Sequence, residues 1–175
     1  MDSTPIQVTP RDHRRGPESA LVTLVEYGNF VCPDCSRAYH VVRELLLQFR
    51  TSLRFVFRHK PRAERLDTTH LAAQAAEAAG LQGRFWPMHD LLFERRQAPT
   101  EPLLESYARL LGLDLERFHD DLHTPVVSAR VREDQVGGLR NGVTGTPTFF
   151  INGVQFRAKP ELESLYTAIE TALTS

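Results

Sequence analysis

Long apolar runs are missing from this chain, and so is any excess of one charge. No stretch approaches the roughly 20 consecutive apolar residues of a membrane-spanning helix, so no membrane insertion is predicted. The 21 basic and 22 acidic residues leave a formal net charge of −1, which argues against binding to nucleic acid or to an anionic surface. Residues 1–17 are polar and lack the apolar core of a signal peptide, so a cytoplasmic location is expected.

Cysteine is scarce as well, since Cys32 and Cys35 are the only two in 175 residues. A structural zinc site needs roughly four ligands, and no second C-x-x-C pair supplies them, so no metal is expected. A purely structural disulfide is disfavoured too, because closing so short a loop removes little entropy from the unfolded chain. A C-x-x-C pair that follows a strand and opens a helix is instead typical of redox sites.

The residues around the two cysteines predict that context. The apolar, β-branched run over residues 21–27 is typical of a strand buried on both faces. Residues 36–50 carry apolar side chains on one helical stripe, and Pro33 suits the first position of that helix. Cys32 is therefore expected near the N-cap, where unpaired N–H groups and the helix dipole favour its thiolate. Cys35 should be shielded one turn further on, so Cys32 is the predicted attacking sulfur.

The rest of the chain predicts a second strand, a helical block and a closing hairpin with a helix. Residues 53–58 should form a strand parallel to the first, because the connection between them is a helical crossover. Residues 67–140 contain no convincing strand and several helical patterns. Asn152-Gly153 is a strong type I′ hairpin signal between strands over 144–151 and 154–156, and a buried stripe over 162–173 predicts the last helix.

This order of elements resembles a thioredoxin fold, and three motifs match the DsbA-like family. They are RGPESALVTLVEYGNFVCPDC, GRFWPMHDLLFE and GVTGTPTFFINGV, and the resemblance runs from about Asp12 to Leu173. It implies an α/β thioredoxin fold (βαβ…ββα) with an all-helical insertion between its two halves. The implied division is an N-terminal extension over 1–17, a thioredoxin-like domain over 18–62 and 143–175, and the helical insertion over 63–142.

The resemblance also implies roles for individual residues. Cys32 corresponds to the nucleophile and Cys35 to the resolving thiol. Thr146-Pro147 corresponds to the family's cis-proline loop, which packs beside the disulfide and offers backbone groups to an extended substrate. We therefore expect a cis Thr146–Pro147 bond, although most X–Pro bonds are trans.

Glu26 is the one carboxylate in an otherwise apolar strand, six residues before Cys32. Thioredoxin-like proteins often hold a buried acid here, and burial would raise its pKa into the range useful for exchanging a proton with Cys35. The alternative is a carboxylate at the strand end paired with an arginine.

Pro33-Asp34, between the cysteines, differs from DsbA itself, which has histidine in place of Asp34. A negative charge here should disfavour the Cys32 thiolate. We therefore predict a pKa of Cys32 above the ~3.5 of DsbA, and a potential nearer the ~−270 mV of thioredoxin than the ~−120 mV of DsbA. Alternatively, Asp34 faces solvent and its charge is screened.

Three arginines and two histidines are expected to have no chemical role. Arg58, Arg62 and Arg65 are predicted to lie in a solvated loop. His40 and His89 are expected to be structural, as lone histidines on helices usually are.

The sequence thus predicts a cytoplasmic thiol–disulfide oxidoreductase acting on protein or peptide thiols and disulfides. It should need no organic cofactor or metal, but an unidentified redox partner must return the cysteine pair to its starting oxidation state. In a reducing cytosol, reduction or isomerisation of substrates is favoured over their net oxidation. One alternative is a non-catalytic binding, regulatory or redox-sensing module, because thioredoxin-like domains of this subfamily also occur appended to membrane transporters. Another is glutathione-dependent chemistry, which no further sequence feature supports.

Overall fold

The computed structural model describes residues 5–62 and 68–175, in which five strands and seven helices follow one another. The strands are β1 (His13–Arg15), β2 (Val22–Gly28), β3 (Leu53–His59), β4 (Thr148–Ile151) and β5 (Val154–Phe156). The helices are α1 (Pro33–Gln48), α2 (Thr68–Gly80), α3 (Phe85–Arg95), α4 (Glu101–Leu110), α5 (Leu115–Leu122), α6 (Pro125–Arg140) and α7 (Leu162–Thr174).

The strands form one sheet in the order β1-β3-β2-β4-β5. Central strand β2 is buried along its whole length, which explains why its sequence is almost continuously apolar. It pairs parallel with β3 and antiparallel with β4, so that Glu26 lies between Phe57 and Phe149 of the neighbouring strands. The βαβ half and the ββα half of the predicted thioredoxin fold are both present.

The described residues between β3 and β4 form helices α2–α6, as the predicted all-helical insertion requires. Helix α2 is rich in alanine, and Ala72, Ala75 and Ala76 are fully buried. Small side chains let its backbone pack closely against α3 and α6. Both of these helices in turn contact strand β3 of the sheet. The exact boundaries of the predicted domains stay a prediction.

Residues 13–15 of the predicted N-terminal extension form strand β1. This strand pairs antiparallel with β3 at the edge of the sheet, with His13 opposite Phe57 and Arg15 opposite Phe55. Its three residues are polar, with His13 and Arg15 half-buried and Arg14 exposed, so the hydrophobic pattern gave no strand signal.

The prediction of a solvated loop was wrong for Arg58. Arg58 is 8% exposed, forms an ion pair of 2.8 Å with Asp12 and donates to the hydroxyl of Tyr27 at 2.9 Å. The countercharge comes from a residue 46 positions away, which a local pattern does not reveal. Arg62 is exposed as expected, and Arg65 lies outside the described residues.

Candidate redox site

The two cysteines lie where β2 leads into α1. Cys32 is the N-cap of α1 with extended backbone angles (φ −81°, ψ 123°), and Pro33 follows at the first helical position. The Ser36 N–H donates to the Cys32 carbonyl at 3.1 Å, which closes the first turn. Both cysteines are free thiols; Cys32 is partly buried and Cys35 fully buried. The predicted local geometry is confirmed.

The two sulfurs differ sharply in acidity. A hydrogen bond from Cys35 is the largest influence on the pKa of Cys32 and, with contacts to Thr146 and the charge of Arg37, lowers it to about 5 although burial opposes this. The same hydrogen bond, burial and the negative charges of Glu26 and Cys32 raise the pKa of Cys35 far above its ordinary value. At neutral pH Cys32 is therefore a thiolate and Cys35 a thiol, which is the asymmetry that disulfide exchange requires.

Asp34 is exposed and forms an ion pair with Arg37, one turn further along α1. Its charge is therefore largely compensated, which favours the screened alternative. Arg37 itself lowers the pKa of Cys32, and the resulting value of about 5 lies above the ~3.5 of DsbA. The redox potential stays a prediction.

The loop before β4 brings Thr146 to Cys32 from a position 114 residues away in the chain. The Thr146–Pro147 peptide bond is cis, as predicted. Cys32 Sγ lies 3.4 Å from the Thr146 carbonyl oxygen, to which its S–H donates when protonated. The loop therefore borders the reactive sulfur directly.

Glu26 is buried to 2% exposure in the middle of the sheet. Among the described residues its Oε1 has no hydrogen-bond partner and no arginine pairs with it, so the arginine-paired alternative finds no support there. Burial and the negative charge of Cys32 raise the pKa of Glu26 to about 8. Since the charge of Glu26 also raises the pKa of Cys35, the two groups are electrostatically coupled.

A groove of about 790 Å³ passes Cys32 and the Thr146 loop. Its apolar lining includes Val31 and Leu139, and its cations are Lys60 and Arg62. The stem of Lys60 is buried, and no anionic partner for its ammonium group occurs in the described parts of the chain. Sequence reasoning missed Lys60, although it is one of only two lysines in the chain.

A second polar cluster away from the cysteines was also missed. Oε1 of Glu77 lies 2.8 Å from Nε2 of His13 and 2.7 Å from Nε2 of His59, and Glu77 and His59 are buried. These three side chains are of types that ligate metals, but the distances are those of hydrogen bonds. We therefore interpret the cluster as a buried hydrogen-bonded link between β1, β3 and α2.

A sheet of this topology, with a thiolate–thiol pair at the start of its first crossover helix and a cis-proline beside it, defines a protein with the thioredoxin fold. The chain belongs to the thioredoxin family, whose profile matches residues 8–171.

Solved structures share the thioredoxin fold of this chain. A thioredoxin-like oxidoreductase from Silicibacter pomeroyi DSS-3 is 28% identical, with 95% of each chain covered and a TM-score of 0.85. The α-DsbA1 protein of Wolbachia pipientis, at 21% identity, shares the fold over 95% of each chain with a TM-score of 0.81. The predicted resemblance to the DsbA-like family is confirmed for the fold.

The curated relatives that match this chain are much longer proteins. A protein named Na(+)/H(+) antiporter NhaA 1 from Salinispora arenicola is 46% identical over 162 residues, which cover 93% of this chain and 25% of the relative. The chain thus spans about a quarter of the length of the curated relatives it matches. Within residues 5–62 and 68–175 no helix is both long enough and apolar enough to cross a membrane.

Proposed function

We propose that the chain is a thiol–disulfide oxidoreductase that exchanges disulfides with protein or peptide substrates through Cys32. The observation that carries this proposal is the difference in acidity between the two sulfurs. With a pKa of about 5, Cys32 is ionised and partly accessible at neutral pH, whereas the buried Cys35 keeps its proton until it is needed. The fold, shared with oxidoreductases, supports the same conclusion.

The reaction begins when the Cys32 thiolate attacks one sulfur of a substrate disulfide. That S–S bond breaks, one substrate thiolate leaves, and a mixed disulfide with Cys32 forms. Cys35 then gives up its proton, attacks the Cys32 sulfur and releases the second substrate thiolate as the Cys32–Cys35 bond forms. Two electrons pass from the protein to the substrate, a separate redox partner reduces the protein again, and the reverse sequence oxidises a substrate dithiol.

Glu26 serves in this scheme as the group that exchanges the proton with Cys35. A buried carboxyl group with a pKa of about 8 changes protonation near neutral pH, which suits a general acid–base group. Its electrostatic coupling to Cys35 supports this role.

The groove beside Cys32 is the proposed binding site for an extended peptide. The backbone carbonyl of Thr146 lies 3.4 Å from the reactive sulfur, and the apolar side chains of Val31 and Leu139 offer contact surface. Among the described residues that line the groove, Lys60 and Arg62 are positively charged and none is acidic, which favours substrates with a carboxylate near the reactive cysteine.

The curated relatives favour a second candidate function. Because proteins named Na(+)/H(+) antiporter match this chain over a quarter of their length, the same cysteine pair could serve as a redox-sensing or regulatory module for a transporter. Here the dithiol would change state with its surroundings without turning over substrates. A cytoplasmic location is part of the proposal in both cases.

Insulin reduction distinguishes the two functions. The wild-type protein with a dithiol reductant should accelerate the reduction of insulin disulfides, Cys32→Ser should abolish the acceleration, and Cys35→Ser should accumulate a mixed disulfide at Cys32. Equal rates for wild type and Cys32→Ser would reject the oxidoreductase. A wild-type protein that cycles between oxidised and reduced forms without acting on insulin would favour the sensing module.

A further inference from the structure

Three side chains from different elements bring metal-ligating atoms together inside the protein. Nε2 of His13 on β1, Nε2 of His59 on β3 and Oε1 of Glu77 on α2 all lie within 4.8 Å of one another. Two imidazole nitrogens and one carboxylate oxygen are a donor set that proteins use for zinc. The three residues are 18 to 64 positions apart in the chain, so their spacing forms no local metal-binding motif.

The pairing of β1 with β3 places the two histidines on one face of the sheet. His13 lies opposite Phe57, and His59 follows Phe57 by two residues on β3. Residues opposite each other on antiparallel strands point to the same face, and so do residues i and i+2 of one strand. His13 and His59 are therefore diagonal neighbours, and Oε1 of Glu77 lies 2.8 Å and 2.7 Å from their Nε2 atoms.

Aromatic rings hold both imidazoles in place. The His13 ring stacks on Phe85 with centroids 3.4 Å apart, and the His59 ring meets Phe57 edge-on at 5.5 Å. His59 is 1% exposed and Glu77 is 7% exposed, whereas the His13 side chain is 20% exposed. The three ligand atoms are thus positioned by packing, and His13 provides an entry path from solvent.

Glu77 supplies a buried negative charge at this position. Burial acts against its ionisation, but hydrogen bonds from His13 and His59 keep the pKa of Glu77 well below its ordinary value. Asp134 is a second buried carboxylate beside the cluster, since it accepts a hydrogen bond from the backbone N–H of His59 at 2.9 Å and pairs with Arg130. Buried carboxylates are stabilised by paired charges or by metal ions, so a cation fits this environment.

The donor atoms favour zinc over magnesium or calcium. Imidazole nitrogen suits zinc and its neighbours in the first transition row, whereas magnesium and calcium prefer sites built from oxygen. Zinc ligands lie about 2.0–2.2 Å from the ion, so two ligands of a tetrahedral site are about 3.3 Å apart. The two O···N distances would have to open by about 0.5 Å, which small rotations of the Glu77 and His13 side chains can supply.

We propose that His13, His59 and Glu77 form a zinc-binding site, in which the ion takes the place of the hydrogens between the two imidazoles and the carboxylate. Without zinc, the three groups form the hydrogen-bonded link described above. With zinc, each imidazole hydrogen moves from Nε2 to Nδ1 by exchange with water, and a water molecule takes the fourth position on the ion. Because the ligands come from β1, β3 and α2, the ion would join the sheet to the helical insertion. The inference does not depend on the proposed redox function.

The test is the binding of zinc to the full chain carrying Cys32→Ser and Cys35→Ser, because thiolates bind zinc themselves. Zinc chloride is titrated into this serine background in competition with a chromophoric chelator. We expect one ion per chain, and His13→Ala in the same background should weaken the affinity at least about tenfold. His123→Ala is the matched control, because His123 is exposed at the end of α5 with its ring beside that of His119, and it should leave the affinity unchanged.

NMR of ¹⁵N-labelled histidine rings identifies the ligand atoms. On addition of one equivalent of zinc to the serine background, the rings of His13 and His59 should change from hydrogen on Nε2 to hydrogen on Nδ1 with metal at Nε2. Glu77→Gln keeps the size of the side chain but removes its charge, and it should prevent this change at equimolar zinc. Zinc should also raise the thermal midpoint of the serine background but not that of the His13→Ala variant.

Equally tight zinc binding with and without His13 would overturn the inference. So would the loss of binding in His123→Ala, which would place the ion on the exposed histidine pair of α5, and so would a serine background that binds no zinc. If Glu77→Gln does not fold, the ring signals of the serine background decide. Hydrogen that stays on Nε2 of His13 and His59 at saturating zinc would contradict the site.

Discussion

Replacing Cys35 with alanine removes the hydrogen bond that lowers the pKa of Cys32 most. A hydrogen bond to a charged group contributes about 1.5–3 kcal/mol, which corresponds to roughly one to two pH units. Without it the pKa of Cys32 should rise from about 5 to between roughly 6 and 7. Cys35→Ser keeps an O–H donor in the same place and should retain most of the acidity.

The assay is the rate of alkylation by iodoacetamide as a function of pH, because only the thiolate reacts. The single remaining cysteine in each variant makes the profile unambiguous. At pH 5 the alanine variant should react about tenfold more slowly than the serine variant, and at pH 9 the two should be equal. Coinciding profiles with a midpoint near pH 5 would show that the thiol–thiolate hydrogen bond is not the cause of the acidity. Coinciding profiles near pH 8.5 would show that Cys32 is an ordinary thiol.

Three further predictions concern stability and substrate choice. Glu26 has a raised pKa in the folded protein, so its contribution to the free energy of unfolding is complete below its unfolded pKa of 4.5 and is lost as the pH rises through about 8. The wild-type protein should therefore lose on the order of 3 kcal/mol between pH 5 and 9, measured by urea unfolding of the reduced protein. Glu26→Gln should remove this loss. Hydrogen bonds from two histidines outweigh the effect of burial and depress the pKa of Glu77. Glu77→Gln should therefore lower the free energy of unfolding by about 2 kcal/mol at pH 7, and by less as the pH falls below 4.5. Lys60→Gln should slow the reduction of a disulfide peptide with a flanking glutamate about fivefold relative to the same peptide with glutamine, whereas Lys159→Gln should not.

Each of these has an outcome that contradicts it. A loss of stability in Glu26→Gln as the pH rises, as steep as in wild type, would place the titrating group elsewhere. A Glu77→Gln variant as stable as the exposed control Glu133→Gln would show that the buried cluster contributes nothing. Equal preference for the two peptides in the Lys60 variant and in wild type would exclude Lys60 from recognition.

The sequence was sufficient to predict the structural elements that depend on residues close together in the chain. The start of α1 at Pro33 follows from the fixed φ of proline, and the β4–β5 hairpin follows from Asn152-Gly153, whose φ angles of 46° and 85° are those that a type I′ turn requires. In the same way, the continuous apolar pattern of β2 was sufficient to predict that both of its faces are buried. Local sterics and burial leave a signal within a few residues, so these elements could be found.

Features that depend on distant partners could not be found in this way. Nothing in residues 13–15 indicates a strand, because β1 is held by backbone pairing with β3. The ion pair of Arg58 with Asp12 joins residues far apart in the chain. A lone histidine in a helical pattern is usually structural, and His89 is buried with its Nδ1 2.9 Å from Oδ1 of the neighbouring Asp90.

The most direct measurement is mass spectrometry of the fully reduced wild-type protein after one equivalent of insulin has been added. We predict a loss of two hydrogens from the protein, a Cys32–Cys35 bond in the peptide map, and an equal amount of reduced insulin. Cysteines that stay reduced beside intact insulin disulfides would contradict the account.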